Sequence, residues 1–222
     1  MLTSEQGIEE SNQKNNHAVA YDAQVIAFAL YSGNTQIAER LIKEFPEKRI
    51  FKHIEPDGSQ PNELRRTLAF GYSQYNLNHM MDIFLMAQKL GISLDNSTSP
   101  DGRNFYKAVD FLAPYYGKEP STWPYKQISE WDYKQSEFGK DLYRIYTFNP
   151  SRTDYLQLFR KYQKIDYRDR FFLLYFKADV TDNAFAFAND QLKYAMQCTE
   201  AAKKEATNKR LVSPRTVEKD GN

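Results

Sequence analysis

Along most of this chain apolar residues recur at the three-and-four spacing of an amphipathic helix. Val19, Ala23, Ile26, Ala27 and Leu30 predict a helix over His17–Tyr31, closed by Ser32-Gly33-Asn34 with a glycine C-cap. Ile37, Leu41, Ile42 and Phe45 carry a second helix as far as Pro46, and the tight turn between the two makes a helical hairpin. A loop with Pro56-Asp57-Gly58-Ser59 follows. Pro61 at a first helical position and Glu63 at the third open a long helix to about Lys89, with Leu64, Leu68, Tyr75, Met81, Phe84 and Leu85 toward a core. Gly91 ends it, and a polar loop runs from Asp95 to Asp101. Phe105, Val109 and Leu112 predict a helix that stops before Pro114, and further helices are expected over 128–146 and 155–162. Phe171–Phe176 fits either a short strand or a buried helical turn, which periodicity does not separate.

The two ends read differently. Thr3–Asn16 is polar and without periodicity, so residues 1–14 are expected to form a connecting segment. The opening MLTSEQGIEE has neither a basic nor an apolar region of the kind a secretory signal needs. The helical domain is then placed at 15–178, a C-terminal helix at 179–202 and a flexible charged tail at 203–222. The fold class is all-α.

Composition narrows the function. Thirty Lys and Arg against 29 Asp and Glu leave a net charge of +1, which argues against a nucleic-acid or membrane-surface binder driven by bulk charge. The longest apolar runs, Val25–Tyr31 and Phe171–Phe176, are too short to cross a bilayer. The lone Cys198 excludes an internal disulfide and a cysteine-built zinc site. With 16 Tyr and 15 Phe against 9 Gly, the chain has too much to bury to be disordered, and it suggests helical packing with a stacking surface.

Three patches near loops hold side chains of catalytic type. They are Lys14-Asn15-Asn16-His17, the stretch from His53 through Gln60 and Pro61 to Glu63, Arg65, Arg66 and Tyr72, and Ser121–Tyr125 around Trp123. Each alone has an ordinary structural reading: a helix cap, a solvated arginine pair, a core tyrosine, a packing tryptophan. Glu9-Glu10 is a carboxylate pair, but neighbours in sequence do not face each other on a helix. There is no phosphate-binding glycine loop, no paired-histidine metal motif and no nucleophile elbow. Together, Asn, His, Arg and Tyr without a catalytic carboxylate pair argue against ordinary glycoside hydrolysis. They suit β-elimination from a uronic acid. That reaction removes the proton beside a carboxylate, so the site must first neutralise the carboxylate with donors such as Asn, His or Arg. A tyrosinate or a histidine can take the proton, and a tyrosine hydroxyl can protonate the leaving oxygen. Free tyrosine has a pKa of about 10, and a neighbouring cation favours its ionised form.

Three groups of residues carry a family resemblance: Asn15-Asn16-His17-Ala18-Val19-Ala20-Tyr21-Asp22-Ala23-Gln24; the run from Ile54 to Thr67; and Tyr72 with Asn76-Leu77. Asp101-Gly102-Arg103, Phe111–Tyr115 and Trp123-Pro124 add to them. On these motifs the chain resembles the alginate lyases, which are α/α-toroid polysaccharide lyases. The likeness covers roughly residues 2–130 clearly and fades after about 178. It implies an incomplete (α/α) toroid of antiparallel hairpins, matching the C-terminal portion of family members, and a missing N-terminal helical half as partner. It further implies that Asn16, His17 and Arg66 neutralise the uronate carboxylate. Tyr72 would be the acid and also a base, with His17 as base for one epimer. His53, Gln60, Arg65 and Trp123 would line the sugar subsites. No metal or cofactor is called for, the substrate is an anionic, alginate-like polysaccharide, and the location is periplasmic or extracellular. The alternative is a non-catalytic carbohydrate-binding or scaffold protein of the same fold.

Departures are visible. Ala18 stands where the family has Gly, His53 where Gln is usual, and Leu94-Asp95-Asn96 replaces Asp-Leu-Trp. The arginine assignment also meets a geometric conflict. On one continuous helix Arg65 and Tyr72, seven apart, share a face, whereas Arg66 lies roughly 120° away from Tyr72. Motif register favours Arg66, and a non-helical first turn would reconcile the two.

Overall fold

The computed structural model describes residues 2–162 and 169–175. The chain divides into two compact units, 1–164 and 165–222. In the second, Arg170–Tyr175 is helical, which decides the strand-or-helix question at that position for the residues described. The predicted helix at 179–202 and the tail at 203–222 lie outside the described residues.

The first unit is a series of antiparallel helical hairpins, and the described residues contain no strand. It starts with a correction. The expected connecting segment holds a helix, α1 (Glu5–Ser11), whose first turn is capped by the Ser4 hydroxyl accepting from Gly7 N–H at 3.2 Å. At seven residues it is too short to show a period, and its buried residue is a glycine. The helices α2 (Asn16–Tyr31) and α3 (Thr35–Phe45) form the predicted hairpin, with Asn15 and Asn34 side chains as caps. α3 ends before Pro46 as expected, but the chain does not turn away there. A wider π-turn over Pro46–Ile50, with the proline at its first position, runs on into α4 (Phe51–His53).

The long helix expected over 61–89 is two helices. α5 (Pro61–Leu64) is a single turn, residues 65–68 are not helical, and α6 (Ala69–Lys89) begins afresh. The cause is distant in sequence. Ala69 N–H donates to Lys126 C=O at 2.9 Å and Ile128 N–H to Thr67 C=O at 3.1 Å, so 126–128 pairs with the break. Gln127 Oε1 then accepts from Phe70 N–H at 3.0 Å and from Gly71 N–H at 3.4 Å, capping α6 in place of a local residue. The same docking delays α8 (Trp131–Phe148), expected from residue 128, by three residues. α7 (Phe105–Leu112) and α9 (Thr153–Tyr162) fall where the pattern places them.

α6 is the central helix, packed on α2 and on α8. Phe84 meets Phe45 of α3 and Phe105 of α7 edge-on, at ring separations of 6.4 and 5.0 Å. At the other end Phe70 meets Trp123, Trp131 and Phe138 at 5.2–5.6 Å. Tyr75, expected in this core, is 43% exposed on the opposite side of the helix. The α6–α8 seam is polar further along. Asp141 accepts from the Gln74 and Asn78 amides, and Arg144 pairs with Asp82.

Two predictions follow from this packing. Gly58 has φ +88°, and a Cβ there would lie 2.1 Å from the Lys107 carbonyl oxygen. Gly58→Ala is therefore expected to lower stability by more than the about 1 kcal/mol of an ordinary left-handed position, read as a fall in melting temperature. Burial pushes the Asp141 carboxyl up to about 7, against the pull of its amide donors and Arg144. Between about pH 4 and pH 7 the unfolded chain gives up this proton while the folded chain keeps it, so ionisation works against folding as pH rises. Asp141→Asn should gain melting temperature relative to the parent on going from pH 4 to pH 7; a constant difference would contradict the assignment.

Candidate active site

The turn α5 is the joint on which the site is built. Asn62 Nδ2 donates to the Lys14 carbonyl at 2.6 Å, tying α5 to the chain just before α2. Glu63, 1% exposed, takes hold of Asn16: its carboxylate accepts from Asn16 N–H and from Asn16 Nδ2, both at 2.6 Å. One carboxylate thus satisfies a free backbone N–H at the start of α2 and fixes the Asn16 amide plane. Burial pushes the Glu63 carboxyl above its usual range, while the two Asn16 donors, Arg66 and His17 pull it back. The remaining Nδ2 hydrogen and the Oδ1 of Asn16 are left for a further partner.

His17, the next residue, is exposed, and its Nδ1 lies 3.1 Å from Glu10 Oε2 on α1. Across α5, the non-helical stretch after Leu64 turns Arg66 back over α6. Its guanidinium sits 4.0 Å from the centre of the Tyr72 ring, a cation–π stack. Arg65 is exposed and makes no such contact. The conflict between motif register and helix geometry is therefore removed by the break in the helix, in favour of Arg66. A continuous chain of contacts and charges links Tyr72, Arg66, Glu63, Asn16 and His17.

The remaining expected residues lie apart from this chain of contacts, in burial or in place. Gln60 is 3% exposed, with Nε2 donating to Ser73 C=O at 3.2 Å and Oε1 accepting from Asn76 Nδ2 at 2.7 Å. Both ends of its amide brace the loop against α6. Trp123, 5% exposed, is enclosed by Phe70, Phe111, Tyr115 and Tyr125 and belongs to the aromatic core. His53 is 5% exposed and lines a separate cleft of about 720 Å³ with Lys14, Lys48, Lys52 and Arg103. Burial, then Arg49 and Lys52, lower its pKa to about 4, so the ring is neutral at physiological pH.

Sequence reasoning missed Asn62 and Glu10, and it placed Glu63 at a helix start and in a polar patch without giving it the hold on Asn16. A signal existed for Glu63: an acid on the first turn of a helix, inside a motif that also supplied Arg66. Glu10 carried none, because its helix was not expected. Among the described residues no group of three or more His, Cys, Asp or Glu could hold a metal ion, and no helix is long and apolar enough to cross a membrane.

The alginate lyase family model matches residues 1–123, more than half of the chain. This chain belongs to the alginate lyase family. It is similar in structure to an alginate lyase from Bacteroides ovatus, with 47% sequence identity and a TM-score of 0.77. The match covers 79% of this chain and 46% of that one, so the chain spans about half the length of the solved alginate lyase. No curated protein matches it. The all-α toroid class expected from the motifs is that of the family.

Glu63→Ala removes both acceptors from Asn16 and leaves two donors without a protein partner. The expected cost is about 1–3 kcal/mol, measured by chemical denaturation, together with a displaced Asn16 amide resonance. An unchanged spectrum would show that Asn16 is held by something else.

Proposed function

We propose that this chain carries the elimination centre of a polysaccharide lyase acting on alginate or a related polyuronide. The observation that carries this reading is the Arg66 guanidinium stacked at 4.0 Å on the Tyr72 ring, joined through Glu63 to Asn16 and His17. It sets a fixed cation beside a hydroxyl, with an amide donor and an imidazole along the same contact chain.

In the mechanism these residues support, the uronate carboxylate is received by Arg66, the free Asn16 Nδ2 hydrogen and His17. Donors fixed before the substrate arrives stabilise the charge that flows onto the carboxylate when the neighbouring carbon loses its proton. Glu63 is a positioning residue: it holds Asn16 and does not touch sugar. Tyr72 supplies the proton-transfer group. Its oxygen takes the proton from the carbon beside the carboxylate, or His17 does so for the epimer whose proton lies on the other face. The electron pair left behind becomes the new carbon–carbon double bond, the glycosidic bond to the departing sugar breaks, and a tyrosine hydroxyl returns a proton to the leaving oxygen. Atoms balance without water, and the product is an unsaturated uronate. The family's export to the periplasm or the cell exterior is where such a polymer is met, and we place this chain there.

Tyr72→Phe deletes one oxygen and keeps the ring under Arg66. On alginate, its separated uronate blocks and glycosaminoglycans, the parent should generate the ultraviolet absorbance of the unsaturated product. The variant should lose at least about 100-fold in rate with its melting temperature nearly unchanged. No absorbance from the folded parent on any polymer would turn the assignment to a binding or scaffold protein of the same fold.

A further inference from the structure

Beside Tyr72 runs a second feature that the elimination chemistry does not use. A groove of about 230 Å³ is lined by Leu68, Gly71, Tyr72, Tyr75, Glu130 and Lys134. Its far wall is the start of α8, and that wall is fixed. The backbone bonds of 126–128 and the Gln127 cap fasten the segment before α8 to the first turn of α6. Gln127 Nε2 also donates to Ser129 C=O at 2.8 Å, tightening the turn. Glu130 then takes a left-handed conformation, φ 62°, unusual for a residue with a side chain. That turn starts α8 so that Lys134 faces α6.

The lysine's stem lies flat across Gly71. A Cβ at residue 71 would meet the Lys134 side-chain carbons at 3.2–3.3 Å. The glycine therefore admits the lysine onto the helix surface one residue before Tyr72. Lys134 is half-buried, and its ammonium makes no ion pair among the described residues. Its nitrogen lies 5.0 Å from the centre of the Tyr133 ring. An unpaired cation is thus held next to the proposed acid/base, in a groove whose floor offers Leu68 and the half-exposed ring of Tyr75.

We propose that Lys134 holds the carboxylate of the uronate next in line to the one undergoing elimination. The inference rests on the lyase reading of Tyr72. Every sugar of a polyuronide carries a carboxylate, so the residue beside the reacting one brings a second negative charge into this groove. Arg66 stands over the ring of Tyr72 and receives the first charge; Lys134 receives the second. Tyr75 and Leu68 pack on the sugar's C–H face, and Glu130 accepts a hydroxyl at the rim. Lys134 is a specificity residue: it selects a polymer charged at adjacent sugars.

The test uses the full chain carrying Tyr72→Phe, so that binding is read without turnover. An alginate trisaccharide is titrated calorimetrically, at low and high salt, into this parent and into its Lys134→Met and Lys134→Arg forms. Methionine keeps the stem over Gly71 and removes only the charge. Affinity should fall about fivefold to tenfold with Met, the deficit should shrink in high salt, and Arg should restore binding. Met binding as tightly as the parent overturns the proposal, as does a loss that Arg leaves unrepaired or a parent that binds no trisaccharide. The unmutated chain, assayed in parallel for unsaturated product, separates the two ideas. Elimination with no effect of Lys134→Met removes this inference alone. A Lys134-dependent affinity without elimination removes the lyase reading and leaves the subsite.

Discussion

Everything in the site depends on one buried carboxylate. Glu63 closes two hydrogen bonds on Asn16, and this fixes where α2 begins relative to α5. A charged group out of contact with water is costly unless its acceptors are filled. Here the donors come from the residue that most needs orienting. Replacing that arrangement with an apolar contact would let Asn16 turn, and with it the first turn of α2 and His17. Asn62 repeats the connection one residue away through the Lys14 carbonyl. Three successive residues, Pro61-Asn62-Glu63, therefore act as a clamp: one starts the turn, one ties the incoming chain and one holds the amide.

The second constraint is the break after α5. A continuous helix would carry Arg66 away from Tyr72. The chain instead leaves helical geometry for four residues, and the unsatisfied groups are taken up by 126–128 and by Gln127. The stacked pair and the groove beside it thus have one origin. The segment that permits Arg66 to fold back also forms the wall from which Lys134 reaches over Gly71. Basic groups are placed singly at this site, in agreement with a chain whose net charge is +1.

How much of this was legible in the sequence follows from the range of the interactions. The all-α class and α2, α3, α7 and α9 show because their apolar faces repeat over two turns or more. α1 did not show, since seven residues with a buried glycine carry no stripe. The break at 65–68 and the late start of α8 could not show, because each is caused by the other, 57 residues apart. That Asn16, Arg66 and Tyr72 would be linked through contacts was legible only in motif register, which carries three-dimensional information that helical periodicity lacks. The burial of Trp123 and Gln60 was not legible for one reason: residue type says that a side chain can stack or hydrogen-bond, not whether the protein has already supplied the partner. Pro46 marks the end of α3 as read, but the π-turn that follows leaves no mark in composition.

The cap on α6 has a consequence for the order in which the molecule forms. Most helices carry their starting signal within a few residues, so they can nucleate locally. α6 borrows its signal from Gln127, far down the chain. During synthesis its first turn is left open until that residue has emerged and docked. The tyrosine beside the cap therefore acquires its surroundings late, after the hairpin of α2 and α3 has had time to close. The arrangement around Tyr72 is a product of long-range closure, and a nascent chain passes through a helical stage without it.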